Sequence, residues 1–346
     1  MVYLDVRQRT EEAEEHLSPY ASKSKVSRGR LKWEEPCPIR TVFQRDRDRI
    51  VYSNAFRRLK HKTQVFIAPL EDHYVTRLTH TLEVAQIART IARALNLNED
   101  LSEAIALGHD LGHTPFGHVG EKVLNDLCPD GFRHNEQSLR VVDLLEKDGK
   151  GLNLTWEVRD GILNHSKSGV DILGEGWTTV STIEGQVVKI SDIIAYVNHD
   201  ISDALRAGII TEDDLPHSAV GVLGHSSSAR INTLVSDIVG YSSIALNTPN
   251  QENPEIGMSS QVLEATNSLR EFLFDRVYDP SLLTKETENA QKAICLLYSY
   301  FLKHEEKLPI EYASRKDIAE RKVTDYVAGM TDQYALHMVE QILCDK

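Results

Sequence analysis

His80, the adjacent pair His109 and Asp110, and Asp192 form a ligand pattern, H…HD…D, spread over more than a hundred positions. Two neutral imidazoles and two carboxylates suit one divalent ion of intermediate hardness, such as manganese, iron, cobalt, nickel or magnesium, better than a thiolate-rich zinc site would. The chemistry such a set serves is metal-assisted attack of water on a phosphate ester. A chain with 14 His and 52 acidic residues contains His–Asp pairs by chance, so local density has to decide. Residues 108–121 (GHDLGHTPFGHVGE) pack three His, one Asp, one Glu and four Gly into fourteen positions. A purely structural helix has no use for that mixture, because Gly costs up to ~1 kcal/mol per helical position and clustered His adds little core.

The flanking sequence predicts helices that position these residues. Over 79–95, Leu82, Ala85, Ala88, Ile91, Ala92 and Leu95 recur at helical spacing, which puts His80 in the first turn of an amphipathic helix. Arg77 lies three residues earlier, so an early helix start brings a guanidinium beside His80, where it could clamp a phosphate. A second helix is expected over about 101–113, after the acidic Glu99–Asp100 pair and before Pro115. It would let His109 and Asp110, ~100° apart, bend toward one ion, with His113 above His109. A third runs over 183–206. Its polar stripe, Asp192, Tyr196, His199, Asp200 and Asp203, lies opposite Ile193, Ile194, Val197 and Ile201, a segment too apolar for a loose surface helix. The stripe is therefore read as lining a cavity.

These residues fall within long ordered motifs: IRTVFQRDRDR at 39–49, FRRLKHKTQVF at 56–66, RLTH at 77–80, the 108–121 block, FRHN at 132–135, DIIAYVNHD at 192–200 and DYVAGMTD at 325–332. With them the chain resembles the HD-domain phosphohydrolases, specifically the bacterial deoxyguanosinetriphosphate triphosphohydrolase (dGTPase) and dGTPase-like proteins. The resemblance covers most of 15–210 and a patch near the end. It implies one-step hydrolysis of deoxynucleoside triphosphates, dGTP or several dNTPs, at the α-phosphorus to a deoxynucleoside and tripolyphosphate. Position by position, His80, His109, Asp110 and Asp192 match the family's metal ligands, and His118 and Glu121 its catalytic pair. His113 and His134 match positions that approach the phosphates, as secondary acid or electrostatic groups. Arg77 matches a phosphate contact; Lys189 is a weaker candidate. Gln64 matches a nucleoside contact, and Tyr196 and Asp200 match the residues that read the deoxyribose.

An imidazole held by a carboxylate can pass a proton near neutral pH, to the leaving 5′ oxygen or from the attacking water. The residues leave that direction open. The implied cofactor is one divalent ion, manganese or magnesium in function, with iron, cobalt, nickel or zinc as alternatives on purification. The family also implies a homo-oligomer, a hexamer among its forms; single-stranded DNA enters as a partner only under the alternative binder reading. Where the family has Arg after the late DYVAGMTD motif this chain has Gln333, which puts any guanidinium contact there in doubt. That motif is read either as a helix end packed on the core or as a pocket rim or effector site. Two other readings stay open: hydrolysis of nucleoside monophosphates or cyclic nucleotides, and a metal-bound nucleotide sensor or single-stranded DNA binder with weak activity.

Composition bounds the rest. At 346 residues and 41% hydrophobic content the chain can bury a large core. The charged start at 1–15 and the lack of any long apolar run point to a cytoplasmic protein without a membrane partner. Cys37, Cys128, Cys295 and Cys344 lack metal or redox spacing. A net charge of −13 argues against broad nucleic-acid binding. Locally, 23–62 is basic; Arg45, Arg47 and Arg49 alternate with Asp46 and Asp48, which suggests internal ion pairs, while Arg57 or Lys62 could focus substrate. The expected architecture is all-α: a polar N-terminal arm over 1–39, an HD helical core over 40–210, and a C-terminal helical region over 211–346 packed on it. Loops are expected over 167–181 and 247–257, and late helices over 262–278, 286–305 and 315–343.

Overall fold

A computed structural model of the chain describes residues 6–66, 74–166, 172–174, 180–248, 254–278 and 285–344. In chain order the helices are α1 (Val6–Glu14), α2 (Val42–Val51), α3 (Asn54–Arg58), α4 (Arg77–Ala94), α5 (Glu99–Gly108), α6 (Gly117–Leu127), α7 (His134–Arg140), α8 (Glu146–Gly149, one distorted turn), α9 (Trp156–Asn164), α10 (Ile183–Arg206), α11 (His217–Leu223), α12 (Ser227–Asn247), α13 (Ser260–Arg276), α14 (Lys285–Lys303), α15 (Ile310–Ala313), α16 (Ala319–Ala328) and α17 (Asp332–Cys344). Among the described residues there is no strand, only the isolated bridges Arg30–Thr155 and Thr63–Thr76. The fold is all-α, as the periodicity predicts. Most of the expected 167–181 loop, and part of 247–257, lie outside the described residues.

The chain divides into two compact units: residues 1–50, 81–109 and 153–279 form one, and 51–80, 110–152 and 280–346 the other. In the first unit α5, α9 and α10 pack together. Each start follows from its sequence: Asn98 caps α5 by accepting from the Leu101 amide, and Thr182 caps α10 by accepting from the Gly185 amide. Gly161 of α9 faces Ile105 of α5 so closely that a Cβ would sit 2.6 Å from Ile105 Cδ1. Three buried acids, Glu184, Glu157 and Asp46, hold the N-terminal segment on this unit, and a fourth, Glu14, braces the segment internally. Glu14 accepts from Ser24, Glu184 from Ser22 and the Asn98 amide, and Glu157 from Ser27 and the Arg28 amide. Asp46 pairs with Arg30 and accepts from Thr155. The alternating stretch 45–49 is ion-paired, but mostly with acids outside the alternation: Arg45 and Arg49 meet Glu34, and Arg47 meets Asp100 and Glu103 besides Asp48, which also meets Arg40.

The second unit is built on an apolar cluster of Phe116, Leu124, Phe132, Ile294, Leu297, Phe301, Val323 and Val327, drawn from α6, α14, α16 and their flanks. Three helix boundaries differ from the sequence-based expectation. Helix α4 starts at Arg77, so Arg77 and His80 do share one helical face at i,i+3. Helix α5 stops at Gly108 instead of continuing to 113. The cause is tertiary: at Gly112 a Cβ would lie 2.1 Å from the Ser138 amide nitrogen of α7, so 109–116 is a loop pressed on that helix, ending in a left-handed Phe116 (φ 61°). The expected 315–343 helix is two helices, broken after Ala328 and resumed at Asp332.

Candidate functional site

The second unit gathers most of the ionisable candidates. Arg77, 1% exposed, places Nη1 2.6 Å from Asp110 Oδ2, and its Nη2 donates to the Gln64 carbonyl. His80 Nε2 lies 3.9 Å from the same Asp110 oxygen. Beyond the 109–116 loop, helix α6 carries His118 and Glu121 at i,i+3, and the start of α7 carries His134. The Glu121 carboxylate joins them: His118 Nδ1 is 3.3 Å from Oε2, and both the His134 amide and its Nδ1 are 2.8 Å from Oε1. His113 Nε2 is 3.8 Å from Oε2, and the His113 and His134 rings stack at 4.5 Å. Within this unit the donor atoms of Asp110, His113 and His134, and those of His113, His118 and Glu121, each lie within 4.8 Å of one another and could hold a cation.

The charges of this cluster are unequal. Burial works to raise the Glu121 carboxyl, but His134, His118 and His113 overcome it and hold the acid far below the usual range. Burial works against a charged His134, and the adjacent Glu121 carboxylate outweighs it, so His134 stays protonated above the ordinary range. His113 goes the other way: burial, with Arg77 and His134 nearby, holds it well below, so this imidazole is neutral. The stack therefore pairs a neutral ring with a cationic one. Lys62, expected to focus substrate, is instead buried; burial, with Arg58 and Arg77 alongside, lowers its pKa to about 7, and its ammonium donates to the His113 and Ala328 carbonyls. Gln64 is buried, with its side-chain Oε1 making no hydrogen bond.

The first unit holds the remaining candidates. His109, the residue before Asp110, sits 4.0 Å from Asp192 Oδ1 through Nε2, and its Nδ1 lies 2.6 Å from the Ala106 carbonyl. That carbonyl can only accept, so Nδ1 carries the proton and Nε2 the lone pair, the tautomer that metal-ligating His adopts. A set of imidazole nitrogens and carboxylates, with one ring held by a backbone carbonyl in this way, fits a divalent ion. The polar stripe of α10 is not a solvated face: His199, Asp200 and Asp203 are buried, as is Lys189. Tyr196 Oη accepts from Arg270 Nε at 2.8 Å, and the Tyr278 hydroxyl donates to Asp200 Oδ2. Burial and the neighbouring Asp200 raise Tyr278 well above its ordinary range, so it remains a donor. His199 Nδ1 lies 2.6 Å from Asp200 Oδ1; burial opposes its charge, but Asp200 and then Glu83 raise its pKa.

His199 stood in the predicted stripe without a role, and Arg270, Tyr278 and Glu83 were not predicted at all. Their partners are distant in sequence, and an Arg and a Tyr eight positions apart around the end of α13 carry no local signal. Of the cysteines, Cys128 is buried, Cys37 half-buried, and Cys295 and Cys344 exposed, all free. No helix among the described residues is long and apolar enough to cross a membrane.

Residues 77–197 match the HD domain family, and residues 256–341 match the phosphohydrolase-associated domain. A "deoxyguanosinetriphosphate triphosphohydrolase-like protein" of Caldanaerobacter subterraneus subsp. tengcongensis is 57% identical over 98% of this chain and 96% of its own. Proteins of the same description from Desulfatibacillum aliphaticivorans and Clostridium tetani are 50% and 49% identical, over 98% and 99% of this chain and 98% and 97% of theirs.

Proposed function

The chain belongs to the deoxyguanosinetriphosphate triphosphohydrolase-like proteins, an HD-domain family, and on that premise we propose that it hydrolyses deoxynucleoside triphosphates at the α-phosphorus, releasing a deoxynucleoside and tripolyphosphate. The observation that carries this reading is the Glu121 carboxylate, 3.3 Å from His118 and 2.8 Å from His134. A carboxylate that orients an imidazole gives it the tautomer and basicity for proton transfer near neutral pH. In the reaction one bond from water oxygen to phosphorus forms and the bond from phosphorus to the 5′ oxygen breaks. Water loses one proton and the 5′ oxygen gains one. His118, exposed at the start of α6, is the group that handles that proton, with Glu121 holding its ring. Cationic His134 and Arg77 offset phosphate charge, and neutral His113 donates or accepts a hydrogen bond without adding charge.

His80, His109, Asp110 and Asp192 would hold one divalent ion, manganese or magnesium, and the tautomer of His109 supports that assignment. The chemistry such an ion supplies when bound is Lewis-acid polarisation of the α-phosphate. In the first unit, Tyr196 and Asp200 would read the deoxyribose, the ring by filling the space of a 2′ hydroxyl and the carboxylate by accepting from the 3′ hydroxyl. Tyr278 fixes that carboxylate and Arg270 fixes the Tyr196 hydroxyl. The test is to incubate the purified protein with each dNTP and manganese or magnesium and to separate the products by anion exchange. Tripolyphosphate with free deoxynucleoside is expected; monophosphate with pyrophosphate contradicts the reading.

A further inference from the structure

The DYVAGMTD motif at 325–332 has no place in the chemistry just described, yet its side chains and carbonyls reach the loops that carry that chemistry. All the residues involved lie in the second unit. Asp325, at the core, binds Arg140 and Gln137 of α7. The Ala328 carbonyl accepts from Lys62, which also donates to the His113 carbonyl, and the Gly329 carbonyl accepts from Arg58. The last residue makes the most directed contact. Asp332 Oδ2 accepts from the Thr63 amide at 2.9 Å and from the Thr63 hydroxyl, and Oδ1 accepts from the Phe116 amide at 2.9 Å.

Those two partners are one residue from Gln64 and two residues from His118. Phe116 is the residue at which the backbone takes a left-handed turn into α6, with φ 61° and ψ 26°. A bulky side chain at positive φ costs energy and persists only where surrounding contacts enforce it. The next residue, Gly117, has φ 57°, and a Cβ on it would lie 2.9 Å from the Gln64 carbonyl, so the two segments are in close approach at this point. The ordinary role for an Asp in the first turn of a helix is to cap that helix. Here Thr331 takes that part, its hydroxyl accepting from the Tyr334 amide, while both Asp332 oxygens are engaged by Thr63 and Phe116.

We propose that Asp332 is a positioning residue for the hydrolysis: its carboxylate clips the Thr63–Gln64 segment to the first turn of α6 and so sets where His118 and Glu121 stand. The inference rests on the triphosphohydrolase reading above. Asp332→Asn keeps the size but loses an acceptor and turns an amide N–H toward an N–H, so one of the two segments is released. Loss of register of about 1 Å at a catalytic group lowers turnover by about a hundredfold.

The experiment compares wild type, Asp332→Asn, Thr63→Val and Thr331→Ala in kcat and in hydrogen exchange resolved over 62–65, 114–118 and 287–301. For Asp332→Asn, exchange at 62–65 and 114–118 is expected to rise at least tenfold, with 287–301 unchanged and kcat down ten- to a hundredfold. Thr63→Val, which removes only the hydroxyl bond, lies between this variant and wild type, and it decides the question should Asp332→Asn not fold. Thr331→Ala, which weakens only the helix start, keeps kcat within twofold. Unchanged exchange at 62–65 and 114–118 in Asp332→Asn overturns the inference, as does wild-type exchange and turnover in Thr63→Val where Asp332→Asn is unfolded. So does a Thr331→Ala protein that reproduces the loss of turnover. A wild type that releases no tripolyphosphate defeats the hydrolase reading and this inference together, and is recognised before any variant is measured.

Discussion

Replacing Glu121 by Gln removes one charge and leaves the side chain its size. In the wild type that carboxylate is 2.8 Å from His134 Nδ1 and 3.3 Å from His118 Nδ1, so one substitution disturbs both imidazoles. His134 is held above its ordinary pKa of 6.5 by Glu121, against burial that acts to lower it. With that charge gone, burial and Arg77 outweigh the remaining pull of Asp110, and His134 should titrate below 6.5. His118 keeps its position in sequence but loses the partner that fixes its tautomer. Proton transfer by a positioned group contributes about 10²–10⁴ in rate, equivalent to ~3–5 kcal/mol in the barrier. Because both rings are affected we expect a fall in kcat of about a thousandfold near neutral pH, with the divalent ion still bound. The stability consequence has a definite sign. A His whose pKa is raised by folding stabilises the protein fully below its unfolded pKa, and that contribution is lost as pH rises through the folded value. The His134 contribution to stability should therefore fall as pH rises above 6.5, a component that Glu121→Gln should lack. The assays are tripolyphosphate release, bound metal, and NMR titration of the His134 ring. A variant within threefold of wild-type kcat, or a His134 that still titrates above 6.5, refutes the reasoning.

Tyr278→Phe removes the hydroxyl that donates to Asp200. A hydrogen bond to a charged group contributes ~1.5–3 kcal/mol, so KM for the dNTP should rise at least about tenfold, and a KM within twofold of wild type would contradict the assigned role. Asp325, fully buried, neutralises Arg140 and Arg321. Asp325→Asn leaves Arg140 only its Asp317 partner and takes the carboxylate from Arg321 and, since both guanidinium groups retain some solvent access, should cost about 3 kcal/mol in urea unfolding; a change under about 1 kcal/mol contradicts that. Lys62 has its pKa lowered to about 7 from 10.5. Between those values the unfolded chain binds more protons, so stability should rise with pH by roughly 1.4 kcal/mol per unit from this residue alone. Lys62→Met should flatten that slope, and an unchanged slope would assign it elsewhere.

How much was legible in the sequence depended on how local the cause was. The helix carrying His80 and the buried helix α10 follow from the spacing of their own apolar residues, and the all-α fold follows from repeating that pattern. The end of α5 at Gly108 did not follow, because it is set by α7 pressing on Gly112 through Ser138, 26 positions away in sequence. Lys62 read as a surface cation in a basic run; it is buried because two carbonyls, from the 109–116 loop and from α16, accept its protons. Tyr278 and Arg270 were invisible for the same reason: their partners Asp200 and Tyr196 are 78 and 74 residues away. The 325–332 motif was recognisable as a pattern, but its grip on Thr63 and Phe116 required the fold.

Attack of water at the α-phosphorus is tested by turnover of a dNTP in ¹⁸O-labelled water with manganese. One ¹⁸O is expected in the terminal phosphate of tripolyphosphate, read by the isotope shift in ³¹P NMR, and none in the deoxynucleoside. Label in the deoxynucleoside 5′ oxygen, or label appearing in orthophosphate or a nucleoside monophosphate, would contradict it.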